Sequence, residues 1–252
     1  LKPWVNITKL VLTTKRRVNI GIVGKYVELQ DAYKSIDEAL QHSGYALGKK
    51  ILIQKVAAEE IEKNPFILEN FDGILIPGGF GSRGLEGKIS AAKFARENNI
   101  PFFGICLGLQ CAIIEFSRNV CGLNNAHTTE FKEDLHIDID HPVVCLMSEQ
   151  ESVLSKGGTM RLGAYNCELL KNSKVYDAYQ IKKVSERHRH RYEVNNNYRD
   201  ILEKNGMILS GLNKEIGVVE MIELSNHPWF VGTQSHPEFK SQPISPHPLF
   251  KS

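Results

Sequence analysis

Short apolar runs alternate with stretches of helical spacing through the first half of the chain. The apolar runs predict strands at residues 18–23, 50–56 and 73–76 and in the run that ends at Gly104. Helical spacing predicts helices at residues 35–42, 59–71 (interrupted at Pro65), 86–98 and 109–116. Repeated strand–helix–strand units are typical of a doubly wound, mostly parallel sheet with flanking helices. We therefore predict an α/β fold whose ligands bind at the carboxyl ends of the strands.

The second half of the chain has a different pattern. Apolar runs separated by polar turns predict strands at residues 142–147, 160–164, 207–212, 217–224 and 229–233. Residues 198–205 form the one clear helical pattern, and the polar segment 119–141 predicts loops. This half therefore predicts a smaller antiparallel or mixed extension of the sheet. Near the start of the chain, Ser35 followed by Glu38 fits a capping box for the first helix.

A cysteine stands between two glycines where a predicted strand passes into a helix. The sequence Gly104-Ile105-Cys106-Leu107-Gly108 has the G-x-nucleophile-x-G spacing of a nucleophile elbow, with Cys in place of Ser. Such a turn strains the nucleophile and exposes its side chain, and the following helix N-terminus favours the thiolate. On this motif alone, a buried structural cysteine in a glycine-rich turn remains an alternative.

A glycine-rich loop follows the third predicted strand, at residues 77–84. Gly79 to Gly84 fit G-x-G-x-x-G, which raises dinucleotide binding as a rival function. That fingerprint belongs after the first strand of its unit, and the acidic residue expected at the end of the next strand is absent. The P-loop pattern also fails, because Ser82 occupies the place of its first glycine and Ile89 follows Lys88. We instead predict that backbone N–H groups near Gly79 and at Leu107 form an oxyanion hole.

His236-Pro237-Glu238 directly follows the last predicted strand and could supply the base that a thiol needs. A histidine at one strand end can reach a nucleophile at a neighbouring strand end. The carboxylate two residues later can fix the imidazole tautomer. A surface turn is the alternative for this tripeptide alone. Zinc binding by Cys106 and His236 is another, although no further ligand cluster of suitable spacing supports it.

Arginine and histidine alternate in the segment 186–194. Interleaved Arg, His and Tyr side chains could bind nucleic acid. In an extended segment, alternate residues share a face, so one or two arginines could instead grip a carboxylate. A solvated strand edge is the third possibility.

Composition narrows the class of protein. The chain has 252 residues, 42% of them apolar, which is enough for one large domain. A net charge of +2 indicates no polyanionic partner, and no apolar run is long enough to span a bilayer. Five cysteines without a C-x-x-C pair indicate a reduced, cytoplasmic setting. We interpret residues 1–16 as the end of a connector from an upstream domain and residues 17–252 as one catalytic domain.

Taken together, the elbow, the glycine-rich loop and His236-Pro237-Glu238 resemble class I glutamine amidotransferases. More specific stretches are similar, in this order, to the glutaminase domain of the CTP synthase family: Gly24-Lys25-Tyr26, Pro77-Gly78-Gly79-Phe80-Gly81, Thr129-Glu130-Phe131, residues 158–163, residues 187–195 and residues 226–230. Leu109 and Ser235 depart from residues frequent in that family, and Ser235 leaves the wall beside His236 less bulky. Neither departure removes a catalytic group.

The resemblance implies a role for each matching residue. Cys106 would attack the side-chain amide of glutamine, with His236 as acid and base and Glu238 orienting it. The resemblance places the substrate near a further set of residues: Gly79, Leu107, Gly108, Leu109, Gln110, Glu130 and Arg191. Of these, Glu130 would pair with the substrate ammonium and Arg191 with its carboxylate.

The resemblance also implies partners beyond this domain. L-Glutamine would be the substrate, and a missing N-terminal synthase domain would use ATP and Mg²⁺ to aminate UTP. GTP would activate the glutaminase, and residues 158–163 resemble a lid segment involved in that coupling. The full-length protein would form a homotetramer, without nucleic acid, membrane or bound metal in this domain. Two alternatives remain: the glutaminase of another class I amidotransferase, and a catalytically inactive regulatory or nucleic-acid-binding module.

Overall fold

The computed structural model describes residues 2–29, 31–146 and 160–252. The helices in these ranges are α1 (Lys2–Thr13), α2 (Lys34–Leu47), α3 (Ala58–Lys63), α4 (Leu85–Glu97), α5 (Leu107–Asn119), α6 (Lys132–Leu135), α7 (Lys174–Tyr179), α8 (Arg199–Lys204) and α9 (Pro248–Lys251). The strands are β1 (Arg17–Gly24), β2 (Lys50–Ala57), β3 (Gly73–Ile76), β4 (Phe102–Ile105), β5 (Ala126–Thr128), β6 (His141–Leu146), β7 (Arg161–Leu169), β8 (Lys183–His190), β9 (Tyr192–Val194), β10 (Met207–Asn213), β11 (Val218–Leu224) and β12 (Phe230–Thr233).

The main sheet has the strand order β2-β1-β3-β4-β12-β11-β10-β7-β8 in the described part of the chain. The first five strands in this order are parallel. From β12 onward, each neighbouring pair is antiparallel. The structure therefore confirms the predicted α/β fold with a parallel sheet and an antiparallel extension.

The pairing of β4 with β12 sets the position of the cysteine elbow. These parallel strands align Phe102 with Phe230 and Ile105 with Thr233, and the two phenylalanine rings stack with centroids 4.4 Å apart. Since both strands end at the same edge of the sheet, Cys106 lies beside the segment that leads from Thr233 to His236. The register alone thus brings together two motifs that are 130 residues apart in the sequence.

Helices cover both faces of the parallel strands. Ile74, Ile76 and Phe102 pack on one face, and Ile22, Leu75 and Phe103 pack on the other. Strand β3 is buried along its whole length, as its unbroken apolar sequence predicts. The site therefore stands at the ends of strands β4 and β12, which are buried along their whole length.

A second sheet of three strands, β5-β6-β9, lies outside the predicted architecture. Strand β5 is parallel to β6, and β9 is antiparallel to it. Strand β5 leads into the 3₁₀ turn Thr129–Phe131, and β9 begins directly after Arg191. This small sheet brings Glu130 and Arg191 to the same region.

Two predictions of local structure were wrong or incomplete. Ser35 does not cap α2: the helix begins at Lys34, and the Tyr33 carbonyl accepts the first N–H groups without a side-chain cap. The Tyr33 hydroxyl accepts from the backbone N–H of Lys25, so the packing of this side chain fixes the start of the helix. Segment 119–141 contains β5 and α6 rather than loops alone. Helix α1 lies within residues 1–16, and the interpretation of this segment as a connector stays a prediction.

Strand β8 and helix α7 were the larger omissions. The residues of β8 alternate strictly between exposed and buried, but its buried positions include Glu186, His188 and His190. A pattern based on apolar residues cannot detect a strand that buries charged and polar side chains. The end of the strand predicted at 142–147, Met147, and the first two residues of segment 158–163 lie outside the described residues.

Candidate active site

Cys106 occupies a tight turn between β4 and α5, as the elbow motif predicts. Its φ of 52° and ψ of −102° are strained for a residue with a side chain. A Cβ on Gly104 would lie 2.6 Å from the Gly108 carbonyl group, and one on Gly108 would lie 2.2 Å from the Ile76 carbonyl oxygen. Both glycines are therefore required by close backbone approach.

The backbone on either side of Cys106 fixes the sulfur at the start of α5. The Cys106 N–H donates to the Thr233 carbonyl at 2.7 Å, which ties the elbow to the end of β12. The side-chain amide of Gln234 lies 3.6 Å from Sγ. The thiol stands at the N-terminus of a 13-residue helix, whose dipole favours negative charge on sulfur.

His236 and Glu238 adopt the arrangement that the sequence predicts. His236 Nδ1 lies 2.8 Å from Glu238 Oε1, so Nδ1 carries the proton that it donates to the carboxylate and Nε2 is directed to Cys106. The His236 N–H donates to the Arg187 carbonyl at 2.7 Å, and the ring stacks on Phe239. A hydrogen bond at the backbone of His236 and stacking on the face of its ring thus hold the imidazole in place.

The charges around His236 favour its protonated form. Burial lowers the pKa of His236, but hydrogen bonds to Cys106 and Glu238 outweigh burial and raise the pKa to about 10. An imidazolium between a sulfur and a carboxylate is the arrangement that stabilises a thiolate. The geometry therefore supports a thiolate–imidazolium pair.

A cavity of about 300 Å³ opens over the cysteine. It is lined by Gly79, Phe80, Cys106, Leu107, Gln110, Glu130, Met160, His190, Arg191 and Tyr192. Glu130 and Arg191 bring opposite charges to it. Burial raises the pKa of Glu130 to about 7, although Lys25 and Arg191 act in the opposite direction.

Not all predicted substrate residues line this cavity. Gly79, Leu107, Gln110, Glu130 and Arg191 do. Gly108 packs against Ile76, and Leu109 is fully buried with its Cα 3.2 Å from the position of a Cβ on Gly232. The structure therefore places these two residues in the packing behind the elbow.

Gln110 connects the elbow helix to the strand that follows Arg191. Its side-chain amide donates to the Tyr192 carbonyl at 3.1 Å and to Gln234 Oε1 at 3.3 Å. Because Gln234 in turn faces the Cys106 sulfur, Gln110 joins the nucleophile to the wall that carries Arg191.

Lys25 is a site residue whose role sequence reasoning missed. Its ammonium donates to the carbonyl oxygens of Phe80 and Gly81, the latter at 2.8 Å, and so holds the glycine-rich loop beside the elbow. Arg83 donates to the Lys25 carbonyl at 2.9 Å and fixes the loop from its other end. The available signal was its position directly after β1, at the carboxyl edge of the sheet.

The Arg–His segment separates into two faces. Arg187 and Arg189 are exposed and lie over the rings of Phe239 and Phe80. His188 and His190 are buried, with His188 Nδ1 2.9 Å from His190 Nε2. Burial, with help from nearby positive charge, lowers the pKa of His188 to about 3 and that of His190 well below its ordinary value. Both rings are therefore neutral.

A buried ionic cluster supports the wall that carries Arg191. Arg161 donates to Glu193 Oε1 at 2.8 Å and to Glu220 Oε1 at 2.7 Å. Burial raises the pKa of both carboxyls despite this arginine, that of Glu193 to about 8. Since Arg161 joins β7 to β9 and β11, the cluster fixes the backbone next to Arg191.

Two further features are absent from residues 2–29, 31–146 and 160–252. No group of three or more His, Cys, Asp and Glu side chains in these ranges could hold a metal ion. No helix there is both long and apolar enough to cross a membrane. A second cavity, also about 300 Å³, lies among Val18, Gly73 and Trp229 and includes none of the predicted site residues.

The fold and this cysteine site match a described family. The family Glutamine amidotransferase class-I matches residues 28–252. The chain belongs to the class I glutamine amidotransferase family, and it is an enzyme domain of the glutamine-hydrolysing type. Within this family it is similar to the amidotransferase part of CTP synthases.

The sequence relatives are named CTP synthase. The chain is 52% identical over its full length to CTP synthase of Geotalea uraniireducens and 52% identical over 98% of its length to that of Fibrobacter succinogenes. It covers 47% and 44% of those two proteins. The chain therefore spans about half the length of these curated relatives.

Solved structures of glutamine amidotransferases are also similar to this chain. The glutaminase domain of Trypanosoma brucei CTPS, determined with bound acivicin, superposes with a TM-score of 0.86 at 38% identity. The match covers 93% of this chain and 91% of that one. A glutamine amidotransferase from Methylobacillus flagellatus, at 11% identity, has a TM-score of 0.51 over 90% of this chain and 71% of its own, and shares the fold alone.

Proposed function

We propose that this chain hydrolyses L-glutamine to glutamate and ammonia through a Cys106–His236–Glu238 triad and a thioester intermediate. The main support for the proposal is a series of hydrogen-bonded side chains at one end of a cavity. The same cavity is lined by one acidic and one basic residue. His236 bonds Glu238 at 2.8 Å and faces the Cys106 sulfur, while Glu130 and Arg191 line the same cavity.

The anchors fit a free amino acid. Glutamine carries an ammonium and a carboxylate, and each needs a partner of opposite charge when it leaves water. Glu130 takes the ammonium and Arg191 the carboxylate, which directs the side-chain amide toward Cys106. Binding of the ammonium favours the ionised form of Glu130.

The triad then performs the chemistry. The Cys106 thiolate attacks the amide carbon, and the carbonyl oxygen becomes an oxyanion that accepts from backbone N–H groups near Gly79 and at Leu107. The His236 imidazolium gives its proton to the departing nitrogen, and ammonia leaves as the C–N bond breaks. Neutral His236 next removes a proton from water, which attacks the thioester and releases glutamate and Cys106.

The other described thiols with perturbed acidity are poor nucleophiles. Burial raises the pKa of Cys111 to about 12 and that of Cys121 to about 11. Burial also raises the pKa of Cys167. Thiols that stay protonated at neutral pH do not compete with Cys106 for an electrophile.

The full-length protein would use the ammonia elsewhere. By similarity to proteins twice as long, we infer that an N-terminal synthase domain aminates UTP with ATP and Mg²⁺, that GTP activates the glutaminase, and that the assembly is a tetramer. Residues 79–84 lack the P-loop pattern, so no step of that reaction is assigned to residues of this chain. Of segment 158–163, Met160 lines the cavity and Arg161 belongs to the buried cluster.

The test combines labelling with turnover. A thiol-alkylating glutamine analogue should label Cys106 alone, as read by peptide mass spectrometry, and excess L-glutamine should protect it. The chain should release ammonia from glutamine, and Cys106→Ala should release none while keeping its circular dichroism spectrum. Labelling at Cys111, Cys121, Cys145 or Cys167 would overturn the assignment, as would ammonia release by Cys106→Ala.

A further inference from the structure

Lys88 is a buried cation that the proposed mechanism does not use. Its side chain is 1% exposed. Within residues 2–29, 31–146 and 160–252, its ammonium makes no hydrogen bond or ion pair that meets ordinary distance limits. Lysine side chains are rarely buried to this degree, because taking their charge out of water costs free energy.

The start of α4 explains how Lys88 comes to lie there. A Cβ on Gly87 would lie 1.9 Å from the Ala58 carbonyl oxygen, so this turn packs directly on the start of α3. Side chains of a helix lean toward its N-terminus, and α4 begins right after the glycine-rich loop. The Lys88 ammonium accordingly lies 3.6 Å from the position of a Cβ on Gly79, which in turn is 3.7 Å from Leu107 Cδ2.

Lys88 therefore stands behind the two residues proposed to hold the oxyanion. Lys25 contacts the same loop, and its ammonium donates to the carbonyl oxygens of Phe80 and Gly81. Of these two cations, only Lys25 has a hydrogen-bond partner within the described part of the chain.

The charges facing Lys88 come from four elements. Lys25 after β1 repels it; Glu59 on α3 attracts it but is already within 3.3 Å of Arg83; Cys111 on α5 is a protonated thiol; and Cys106 lies at the elbow. Burial is the main cause that lowers the pKa of Lys88 to about 8. At neutral pH most of the side chain remains charged.

We propose that Lys88 is a positioning residue of amide hydrolysis, whose charge acts through the Gly79 peptide on the negative charge at Cys106 and on the oxyanion. The oxyanion that develops during the reaction adds negative charge on the side of the Gly79 peptide that faces the substrate. Preorganised charge in a site shielded from water is effective in this way because it needs no rearrangement. The effect of Lys88 on the oxyanion rests on the proposed function, whereas its effect on the Cys106 thiolate does not.

The test compares Lys88→Met with Lys93→Met, a matched change on the same helix outside the site. Lys88→Met should lower kcat for glutamine by about tenfold or more, with KM within about twofold, because Lys88 does not contact the substrate. Lys93→Met should match the wild type. The melting temperature of Lys88→Met should equal or exceed that of the wild type, since a costly buried charge is removed.

A second measurement needs no glutamine. The rate of Cys106 alkylation by iodoacetamide should rise with pH at a higher midpoint in Lys88→Met than in the wild type, and Lys88→Arg should restore the midpoint. An unchanged midpoint together with kcat within about twofold of wild type overturns the inference. A fall of kcat in parallel with melting temperature, without a midpoint shift, shows a packing role and overturns it too. Absence of ammonia release by the wild type would instead refute the proposed function.

Discussion

Gly78 lies directly against His236: a Cβ built on Gly78 would be 2.7 Å from His236 Cε1 and 3.4 Å from Cys106 Cβ. The neighbouring Gly79 has more room, since its Cβ would meet nothing closer than the Lys88 ammonium at 3.6 Å. A side chain at Gly78 would collide with His236, whereas Gly79 has room for a methyl group. Alanine substitutions at these two adjacent positions should therefore have different effects.

Gly78→Ala should abolish most turnover, because the added methyl group displaces the imidazole from the sulfur. A displacement of about 1 Å in a reacting group costs about 10²-fold in rate. Gly79→Ala should lose much less, since the methyl group fits. Ammonia release and melting temperature of both variants check this, and equal losses in the two variants would contradict it.

Glu238→Gln should lower kcat by about 10²-fold or more, the usual size of an acid–base contribution. The amide accepts a hydrogen bond but carries no charge, so the raised pKa of His236 should move back toward its ordinary value. Since Glu238 does not line the cavity, KM should change little. Steady-state kinetics and imidazole NMR titration measure the two effects, with the exposed Glu69→Gln as control. An unchanged His236 titration would show that the carboxylate does not stabilise the imidazolium.

The pH dependence of kcat/KM should follow the ionisation of Glu130. Burial raises the pKa of Glu130 to about 7 in the free domain, so below pH 7 the carboxyl is neutral and cannot pair with the substrate ammonium. We expect kcat/KM to fall by about tenfold for each pH unit below 7, without a matching fall in kcat. Glu130→Gln should have a low kcat/KM that lacks this limb. Iodoacetamide labelling of Cys106, which involves no ammonium, should be the same in Glu130→Gln and wild type.

Arg191→Ala should weaken glutamine binding, and Arg189→Ala should not. Arg191 lines the cavity, whereas Arg189 is exposed over the Phe80 ring. Loss of one partner of a desolvated charge pair costs on the order of 2–5 kcal/mol, which would appear as a rise in KM. Kinetics of both variants over a range of glutamine concentrations decide between them. Wild-type kinetics for Arg191→Ala would move the carboxylate anchor elsewhere.

The chain should make no CTP from UTP, ATP and Mg²⁺, even with free ammonia in place of glutamine. Ammonia bypasses the cysteine chemistry, so this assay isolates the synthase step. Chromatographic detection of CTP above background, from protein free of host synthase, would show that the division between the two activities is misplaced.

The sequence by itself determined the short-range features of this protein, which depend on residues close together in the chain. The two glycines around Cys106, the apolar strand before it and the start of the helix after it lie in one short stretch of sequence, so their spacing predicts the elbow directly. The same is true of His236 and Glu238, whose hydrogen bond spans two positions. The parallel sheet was also predictable, because apolar runs and helical spacing alternate regularly before Leu107.

Only the tertiary structure decided which of these short-range features lie next to one another. The β4–β12 register places His236 beside Cys106, and the small sheet of β5, β6 and β9 brings Glu130 to Arg191. Periodicity reports which face of an element is buried, but strand pairing depends on contacts between residues far apart in the chain. Burial of the charged side chains had no local signal for the same reason: Lys88 and Glu193 are polar by sequence, and the neighbours that enclose them come from other elements.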